Sequence, residues 1–328
     1  MLRHHRASPA RNLFSFLSLP GLMAGCILVA LLGAAEDKVT PTPKQNNDAP
    51  SKPGDAALRK SWDSWNLPMK PFRIIGNIHY VGMRGVSSFL ITTPDGHILV
   101  DTGFEMSVPH IRDSVQQLGF KLTDIKMLLN SHAHLDHCGG HAWMKELTGA
   151  RIIMSKADAA MLASGGASDF TPYSLDMKSY PAASADQLIQ DGESVSLGGS
   201  TMICHLTPGH TKGCTTWTMD VREEGKVYHV LFFGSTTVLE GVPLVNNLKY
   251  LQIAGDYAAT FAKLKSLPCD VFLAPHGGFF DLAGKRERMI KGETSNPFID
   301  NQSYRAFIRQ SEEAFRAQLK IERVRIGG

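Results

Sequence analysis

The chain has 328 residues, of which 43% are hydrophobic and 20% are charged, and its formal net charge is +3. This composition indicates a soluble globular protein with a substantial core, built as one large domain or two smaller ones. The sequence has no run of lysine and arginine residues that would indicate nucleic-acid binding.

The first 35 residues have the pattern of a secretory signal peptide. Three arginines precede an uncharged apolar stretch over 13–35, which ends in small residues. We predict cleavage after Ala35, which leaves a mature chain with no net charge and no stable membrane association. An uncleaved membrane anchor is the alternative, because the stretch is long enough to cross a bilayer. Pro20 and Gly21 interrupt the stretch and favour cleavage.

The segment 36–60 is rich in proline, asparagine, lysine and aspartate and poor in large apolar residues. We therefore predict a flexible N-terminal lead-in over these residues. The remainder, 61–328, contains no second linker and is predicted to form a single domain that ends in an amphipathic helix.

Strand-like runs within this domain form two groups, at about 72–155 and about 200–277, and helical patterns intervene in each group. Turn signals rich in proline and glycine separate the runs. Two strand-rich halves with helices outside predict an α/β sandwich, in which two sheets lie face to face.

The stretch "NSHAHLDHCGGH", at 130–141, follows a predicted buried strand. His132 and His134 are two residues apart, so in an extended chain their side chains point the same way. Asp136 continues this alternation, and His137 follows where the chain must turn. The two glycines after it allow a tight turn before the next helix.

Histidine and carboxylate side chains are typical zinc ligands, and one tetrahedral zinc ion takes about four donors. Four donors on one loop, pointing in two directions, exceed what one ion needs if it also binds water. Two later histidines, His210 in "LTPGHTKG" and His276 in "FLAPHGG", also follow strands and lie beside glycines. Six donors in three strand-end loops predict two metal ions that share bridging solvent.

The remaining histidines are predicted to lie outside the ligand set. His141 is expected to begin the next helix. Five others occur in strand or helix patterns and are predicted to be structural: His79, His97, His110, His205 and His229.

Removal of the signal peptide leaves four cysteines, an even number in an oxidising compartment, which permits disulfides of unknown connectivity. These are Cys138, Cys204, Cys214 and Cys269. Cys138 is predicted to be a small buried packing residue, with an oxidisable thiol close to the zinc site as the alternative.

The histidine and aspartate pattern over 132–137, followed by "TPGH" and "APHGG", resembles the metallo-β-lactamase superfamily over roughly 70–310. The resemblance implies a four-layer αβ/βα sandwich that holds two Zn²⁺ per chain at one edge, between the sheets. Members of the superfamily hydrolyse thioesters, lactones, phosphodiesters or β-lactams, so this motif alone does not identify the substrate.

Position 235 separates the branches of the superfamily. The thioesterase, lactonase and nuclease branches usually have an aspartate here that bridges both metals, whereas this chain has Ser235. The third subclass of class B β-lactamases also lacks that aspartate, and the sequence resembles this subclass most. The resemblance implies two sets of zinc ligands: His132, His134 and His210 for the first ion, and Asp136, His137 and His276 for the second.

The resemblance to the third subclass implies zinc-dependent hydrolysis of the β-lactam amide bond by a metal-bound hydroxide, which would give resistance to penicillins, cephalosporins and carbapenems. Asp136 would act in catalysis by orienting this hydroxide while it binds the second ion. The alternatives are a hydrolase of another small ester, such as a lactone, and a zinc-binding scaffold without turnover. We expect a periplasmic monomer whose partner is the small-molecule substrate.

Three residues outside the metal ligands are candidate walls of the substrate site. Ser235 and Thr237 lie on the loop that meets the substrate carboxylate in this family, and their hydroxyl groups could donate hydrogen bonds to it. Their alternative role is to cap the turn. Trp65 is predicted either to close the other side of the site or to pack in the core.

The segment 165–183, "GGASDFTPYSLDMKSYPAA", is long, polar and glycine-containing. It resembles the flexible loop that lies over the site in this family, and we call it the cover segment. Phe170 and Tyr180 are predicted to pack on the substrate from this segment.

Overall fold

A computed structural model of the chain describes residues 55–327, with side chains from 59 to 325. The predicted signal peptide and most of the predicted lead-in, residues 36–54, lie outside the described residues. Helix α1 (Asp55–Trp65) begins before residue 61, where we predicted the ordered chain to start. Within the described part, no helix combines the length and the apolar character that a membrane crossing requires.

The first sheet contains seven strands, which lie side by side in the order of the chain. The first four strands pair antiparallel, and the last four pair parallel. The strands are β1 (Phe72–Ile75), β2 (Ile78–Tyr80), β3 (Phe89–Thr93), β4 (Gly96–Val100), β5 (Ile125–Leu129), β6 (Arg151–Ser155) and β7 (Gln187–Ile189).

The second sheet contains five strands in the order β12-β11-β10-β9-β8. Its strands are β8 (Ser194–Leu197), β9 (Ser200–Leu206), β10 (Thr215–Glu223), β11 (Lys226–Phe232) and β12 (Val271–Leu273). The last pair, β11 and β12, is parallel, and the other pairs are antiparallel.

In the described part of the chain, seven further α-helices connect the strands or follow them. They are α2 (Val108–Gln117), α3 (Leu135–Cys138), α4 (His141–Thr148), α5 (Lys156–Ala163), α6 (Ile253–Ser266), α7 (Leu282–Ile290) and α8 (Asn301–Gly327). The long helix α8 confirms the terminal amphipathic helix that its sequence pattern predicted.

The main core lies between the two sheets and takes buried side chains from both of them. Phe89 of the first sheet meets Phe232 of the second edge to face, with ring centroids 5.4 Å apart. Trp217 of β10 is fully buried and donates a hydrogen bond from its indole nitrogen to the carbonyl of Asn130 at 2.9 Å. Burial of each such large side chain stabilises the fold by roughly 1.5–3 kcal/mol.

Helices cover the outer faces of both sheets. Val108 and Met144, from α2 and α4, pack in one cluster with Leu99 of the first sheet. On the second sheet, the ring of Tyr304 of α8 packs against that of Phe272 of β12 in a tilted arrangement, with ring centroids 5.2 Å apart. The predicted four-layer α/β sandwich is therefore confirmed.

The topology places several loops at one edge of the sandwich. Strands β4, β5 and β6 are parallel, so the loops after them emerge at the same edge of the first sheet. Strands β9, β11 and β12 also run in one direction, because β10 is antiparallel to both of its neighbours. The loops that carry the predicted metal ligands follow β5, β9 and β12.

Candidate metal centre and its cavity

Three histidine side chains converge from the loops after β5 and β9. The Nδ1 atom of His134 lies 3.1 Å from the Nε2 atom of His210. The ring centroid of His132 lies 4.5 Å from that of His210, and one donor atom from each of the three side chains lies within 4.8 Å of the others. Ligand atoms on one tetrahedral zinc ion are about 3.3 Å apart, as follows from zinc–nitrogen bonds of about 2.0–2.1 Å. This first donor group could hold one metal ion.

A second donor group lies beside it. The Oδ2 atom of Asp136 lies 3.2 Å from Nε2 of His137 and 3.5 Å from Nε2 of His276. The two Nε2 atoms are 3.3 Å apart. All three separations match those expected around one zinc ion. The ring of His132 lies 4.2 Å from that of His137, centroid to centroid, so the two groups are neighbours.

The local backbone explains why one loop serves both groups. His134 is extended, and the chain then turns into the short helix α3, so Asp136 and His137 face a different direction from the first two histidines. A Cβ atom at Gly139 would lie 2.3 Å from the carbonyl oxygen of Leu135, so this tight turn requires glycine. The predicted change from extended chain to turn occurs, but it begins at Leu135 rather than at His137, so the prediction that Asp136 continues the alternation of His132 and His134 was wrong.

Backbone carbonyls orient the two histidines from the later loops. Nδ1 of His210 donates to the carbonyl of Thr237 at 2.7 Å, and Nδ1 of His276 faces the carbonyl of Gly85 at 3.2 Å. Each contact leaves the opposite ring nitrogen, Nε2, directed at the donor group. Such partners on the second nitrogen commonly fix the tautomer and the ring orientation of metal-binding histidines.

Two buried aspartates that the sequence alone did not single out lie close to the other ring nitrogens of His137 and His134. Asp101 follows β4, accepts hydrogen bonds from the backbone and hydroxyl of Ser131 at 2.7 Å each, and lies 3.5 Å from Nδ1 of His137. Asp169 of the cover segment lies 3.7 Å from Nε2 of His134. For Asp101, the available signal was an acidic residue directly after a buried strand, in "HILVDTG".

The electrostatics favour neutral histidines in the first group. Burial lowers the pKa of His132, His134 and His210 below the ordinary value. Repulsion by neighbouring histidines lowers the pKa of His132 and His210 further, whereas the carboxylates of Asp169 and Asp136 partly oppose the shift of His134. A neutral imidazole is the form that binds metal, so these side chains are ready to ligate at neutral pH.

The carboxylate of the second group is held ionised. Burial alone would raise the pKa of Asp136, but the adjacent charge and hydrogen bond of His137 hold it well below its usual range. Burial alone would lower the pKa of His137, but the carboxylates of Asp136 and Asp101 raise it to about 10. Burial also lowers the pKa of His276 to about 4. A metal cation that binds this group therefore replaces the proton of His137 as the counter-charge of Asp136.

Five of the six donor side chains line a cavity of about 550 Å³, and the sixth, His137, is fully buried and is not among the lining residues. Helix α1, the cover segment and the loops after β11 and β12 supply apolar side chains to its wall. These include Trp62, Trp65, Tyr173, Met177, Leu239 and Phe279. An apolar cleft with a few convergent polar groups is typical of a small-molecule site.

Three of the predicted substrate contacts line this cavity. Ser235 and Thr237 belong to its wall beside the donor groups. Trp65, at the end of α1, also lines the cavity, and its ring meets that of His276 edge to face at 4.9 Å. From the sequence, Trp65 was predicted either to line the site or to pack in the core. In the structure it belongs to the cavity wall.

The structure places the other two predicted contacts, Phe170 and Tyr180, outside the residues that line the cavity. The Phe170 ring packs on Tyr250, with centroids 5.1 Å apart. The Tyr180 hydroxyl donates to the carbonyl of Ala133 at 2.7 Å, and its side chain packs against the buried cluster that contains Ala133 and Cys138. The cover segment does border the cavity as predicted, but through other side chains, of which Tyr173 is the aromatic one.

The four cysteines of the described part are free and buried. Cys138 has no exposed surface, and its Sγ atom lies 3.8 Å from the hydroxyl of Tyr180. Burial raises the pKa of this thiol well above its ordinary value, which opposes the thiolate form that metals and oxidants require. These contacts agree with a packing role for Cys138.

The other predicted structural histidines also lie outside both donor groups. His141 is the first residue of α4, and its Nδ1 atom forms a hydrogen bond of 2.8 Å with the hydroxyl of Thr102. The remaining five pack or pair elsewhere: His79, His97, His110, His205 and His229.

Comparison with known proteins decides the family. The family model of the metallo-beta-lactamase superfamily matches residues 81–276, the part that carries both donor groups. The chain belongs to the metallo-beta-lactamase superfamily. The resemblance inferred from the histidine and aspartate motif is thereby confirmed.

Solved structures of this superfamily superpose on most of the chain. The native FEZ-1 metallo-beta-lactamase from Legionella gormanii is 42% identical, with a TM-score of 0.77, over 79% of this chain and 98% of that one. BJP-1, a subclass B3 enzyme of Bradyrhizobium japonicum, is 39% identical, with a TM-score of 0.75, over 80% and 98%. The class B3 di-zinc enzyme LRA-12 from an Alaskan soil metagenome is 34% identical, with a TM-score of 0.73, over 78% and 96%.

Curated relatives of other activities match less of the chain. Hydroxyacylglutathione hydrolase from Maricaulis maris is 27% identical over 47% of this chain and 46% of the relative. Beta-lactamase-like protein 2 homolog from Drosophila melanogaster is also 27% identical, over 56% and 57%. The chain thus spans about half the length of these curated relatives.

Proposed function

We propose that this chain is a zinc-dependent β-lactamase of the third subclass of class B, which hydrolyses the β-lactam amide bond of penicillins, cephalosporins and carbapenems. The observation that carries the proposal is the two adjacent donor groups, five of whose six side chains line one cavity, with Ser235 instead of aspartate after β11. The similarity to the subclass B3 enzymes BJP-1 and LRA-12, at 39% and 34% identity over nearly their whole lengths, supports it.

The proposed cofactors are two Zn²⁺ per chain, one in each donor group. Nitrogen and carboxylate donors suit zinc, and the separations of 3.1–3.5 Å between donor atoms suit its bond lengths. Among the described residues, the buried Nε2 of His134 and Nδ1 of His137 have no hydrogen-bond partner, yet each faces a carboxylate that would balance a bound cation. When bound, the two ions supply water that is ionised near neutral pH and polarise the carbonyl oxygen of the substrate.

The protein side chains then position the reactants. With zinc bound, Asp136 would contribute a fixed negative charge at the second site and would accept a hydrogen bond that orients the attacking water. Thr237 offers an exposed hydroxyl in the cavity, while its backbone carbonyl holds His210. We propose that this hydroxyl and that of Ser235 bind the substrate carboxylate. Trp65 and Phe279 supply apolar walls that exclude bulk water from the reacting bond.

The second candidate is hydrolysis of a thioester or a lactone, because curated relatives include hydroxyacylglutathione hydrolases. Against it, the chain lacks the aspartate that bridges the metals in those branches.

The deciding experiment is a substrate panel for the zinc-loaded protein. It contains nitrocefin, a penicillin, imipenem, a glutathione thioester and an acyl-homoserine lactone. We expect turnover of the β-lactams, its loss with a chelator and its return with added zinc. Absence of turnover for every β-lactam, at a zinc content of about two per chain, would refute the proposal. Fast hydrolysis of the thioester or lactone alone would establish the second candidate.

We also propose that the protein acts as a monomer in the periplasm after removal of residues 1–35. The basic, apolar and small-residue order of that segment supports export. Fractionation of cells that express the full chain, with N-terminal sequencing and light scattering of the mature protein, tests the compartment, the cleavage site and the oligomeric state. Recovery of an uncleaved chain in the membrane fraction would contradict the localisation.

A further inference from the structure

Asp158 is a buried carboxylate that belongs to neither donor group. It lies in the first turn of α5, and only 1% of its surface is exposed. Ser155, at the end of β6, caps the same helix by accepting a hydrogen bond from the backbone of Asp158 at 3.4 Å. The carboxylate is therefore fixed to the point where a central strand of the first sheet meets its helix.

The hydrogen bonds of Asp158 join the two loops that carry the first donor group. Its Oδ2 atom accepts from the backbone N–H of Ala133 at 2.8 Å and from the hydroxyl of Thr211 at 3.1 Å. Its Oδ1 atom accepts from the backbone N–H of Gly213 at 3.0 Å. Ala133 stands between two histidine donors, and Thr211 follows the third.

Packing around these hydrogen bonds leaves the loops little freedom. The hydroxyl of Ser155 donates to the carbonyl of Gly213 at 2.7 Å. Gly213 is therefore held at its carbonyl by the end of β6 and at its N–H by Asp158 of α5. A Cβ atom at Gly213 would lie 2.2 Å from the Ser155 hydroxyl. The loop after β9 can therefore approach α5 this closely only with glycine at that position.

A buried carboxylate surrounded by neutral donors is costly for the fold. All three side-chain contacts of Asp158 come from neutral groups, and burial raises the pKa of Asp158 to about 7. A neutral side chain would remove this cost, but no neutral side chain of similar size accepts three hydrogen bonds in this geometry. The three hydrogen bonds thus indicate that the Asp158 carboxylate fixes the separation between the loops after β5 and β9.

We propose that Asp158 is a positioning residue that sets the geometry and the affinity of the first metal site without touching the metal or the substrate. The proposal rests on the proposed function only in assigning His132, His134 and His210 to one zinc ion. A shift of either loop would separate histidine donors that come from different strands. The expected consequence is weaker binding of that one ion.

The test compares Asp158→Asn with Thr211→Val, which removes one of the three hydrogen bonds and preserves the shape of the side chain. Leu162→Ala is the matched control, because Leu162 is fully buried on the same helix, has no side-chain hydrogen-bonding group that could hold either loop, and does not line the cavity. All three changes are made in the full chain and again in an Asp136→Ala background, in which the second donor group has lost a ligand. Zinc affinity is measured by competition with a chromophoric chelator, and site geometry by the visible spectrum of the cobalt-substituted protein.

We expect Asp158→Asn to weaken binding of the first ion by about 10- to 100-fold and to change the cobalt spectrum. Thr211→Val should act in the same direction with a smaller effect, and Leu162→Ala should lower stability alone. Unchanged affinity and spectrum in Asp158→Asn, or an equal loss in Leu162→Ala, would overturn the proposal. If Asp158→Asn does not fold, unchanged affinity in Thr211→Val overturns it. Neither readout uses a β-lactam, so failure of the proposed function would be seen separately.

Discussion

Arg59 of α1 forms an ion pair with Asp176 of the cover segment. The two side chains are about one-third exposed, and Arg59 also lies over the ring of Trp62, 6.0 Å from its centroid. Helix α1 supplies two tryptophans to the cavity wall, and the cover segment supplies Tyr173 and Met177. The ion pair therefore joins two segments that together border the cavity.

The first prediction concerns this ion pair. Asp176→Arg places two cations together and should release the cover segment from α1, which raises KM for β-lactams with little change in kcat. A partly exposed ion pair contributes about 0–1 kcal/mol, so we expect a rise of no more than about fivefold. Steady-state kinetics at low and high salt provide the measurement. The double variant Arg59→Asp/Asp176→Arg should restore KM, and a double variant as impaired as the single one would argue against the contact.

The second prediction concerns the second donor group. Asp136→Ala removes the oxygen that lies within 3.5 Å of both Nε2 atoms of its partner histidines. We expect zinc content to fall from about two to about one per chain. Activity should fall by more than the 10- to 100-fold that is typical of residues beyond the ligand shell. Elemental analysis and nitrocefin kinetics measure the two effects. His229→Ala, an exposed histidine paired with Asp220, is the control and should change neither.

The third prediction separates substrate binding from metal binding. Thr237→Val removes the hydroxyl in the cavity and keeps the backbone carbonyl that holds His210. Loss of a hydrogen bond to a charged carboxylate costs roughly 1.5–3 kcal/mol, so KM should rise by about tenfold or more while zinc content stays the same. Thr236→Val, at a buried neighbouring position, is the matched control. Equal KM values for Thr237→Val and the wild type would exclude this hydroxyl from carboxylate binding.

The sequence predicted the layers and the six donors because each has a local signal. Alternation over His132 and His134, and glycines after strand ends, fix directions that do not depend on distant parts of the chain. The family resemblance supplied the pairing of donors into two groups, and the donor separations agree with that pairing. Asp101 and Asp158 were missed because an isolated aspartate after a strand or in a first helical turn is also an ordinary surface residue.

The side chains by which the cover segment lines the cavity could not be predicted from local sequence patterns. The segment has no period that assigns a face to its side chains, so the sequence does not distinguish Tyr173, which lines the cavity, from Phe170 and Tyr180, which do not. Its path depends on Gly166, which has a φ of +82°. The carbonyl oxygen of Lys178 approaches Gly166 so closely that a Cβ atom on residue 166 would lie 2.0 Å from it. That contact joins residues across the segment, and a linear pattern does not reveal it.

The last prediction concerns acid stability of the metal-free protein. Burial lowers the pKa of His141 to about 3, whereas an unfolded histidine takes up a proton near pH 6.5. Below pH 6.5 the unfolded state therefore binds more protons than the folded state, and the free energy of unfolding decreases as the pH falls towards 3. From His141 alone, the loss at pH 5 is about 2 kcal/mol. Urea unfolding with a chelator present, between pH 5 and pH 7.5, measures the slope. His141→Gln should make the dependence shallower by about this amount, and parallel curves for variant and wild type would contradict a neutral, buried His141.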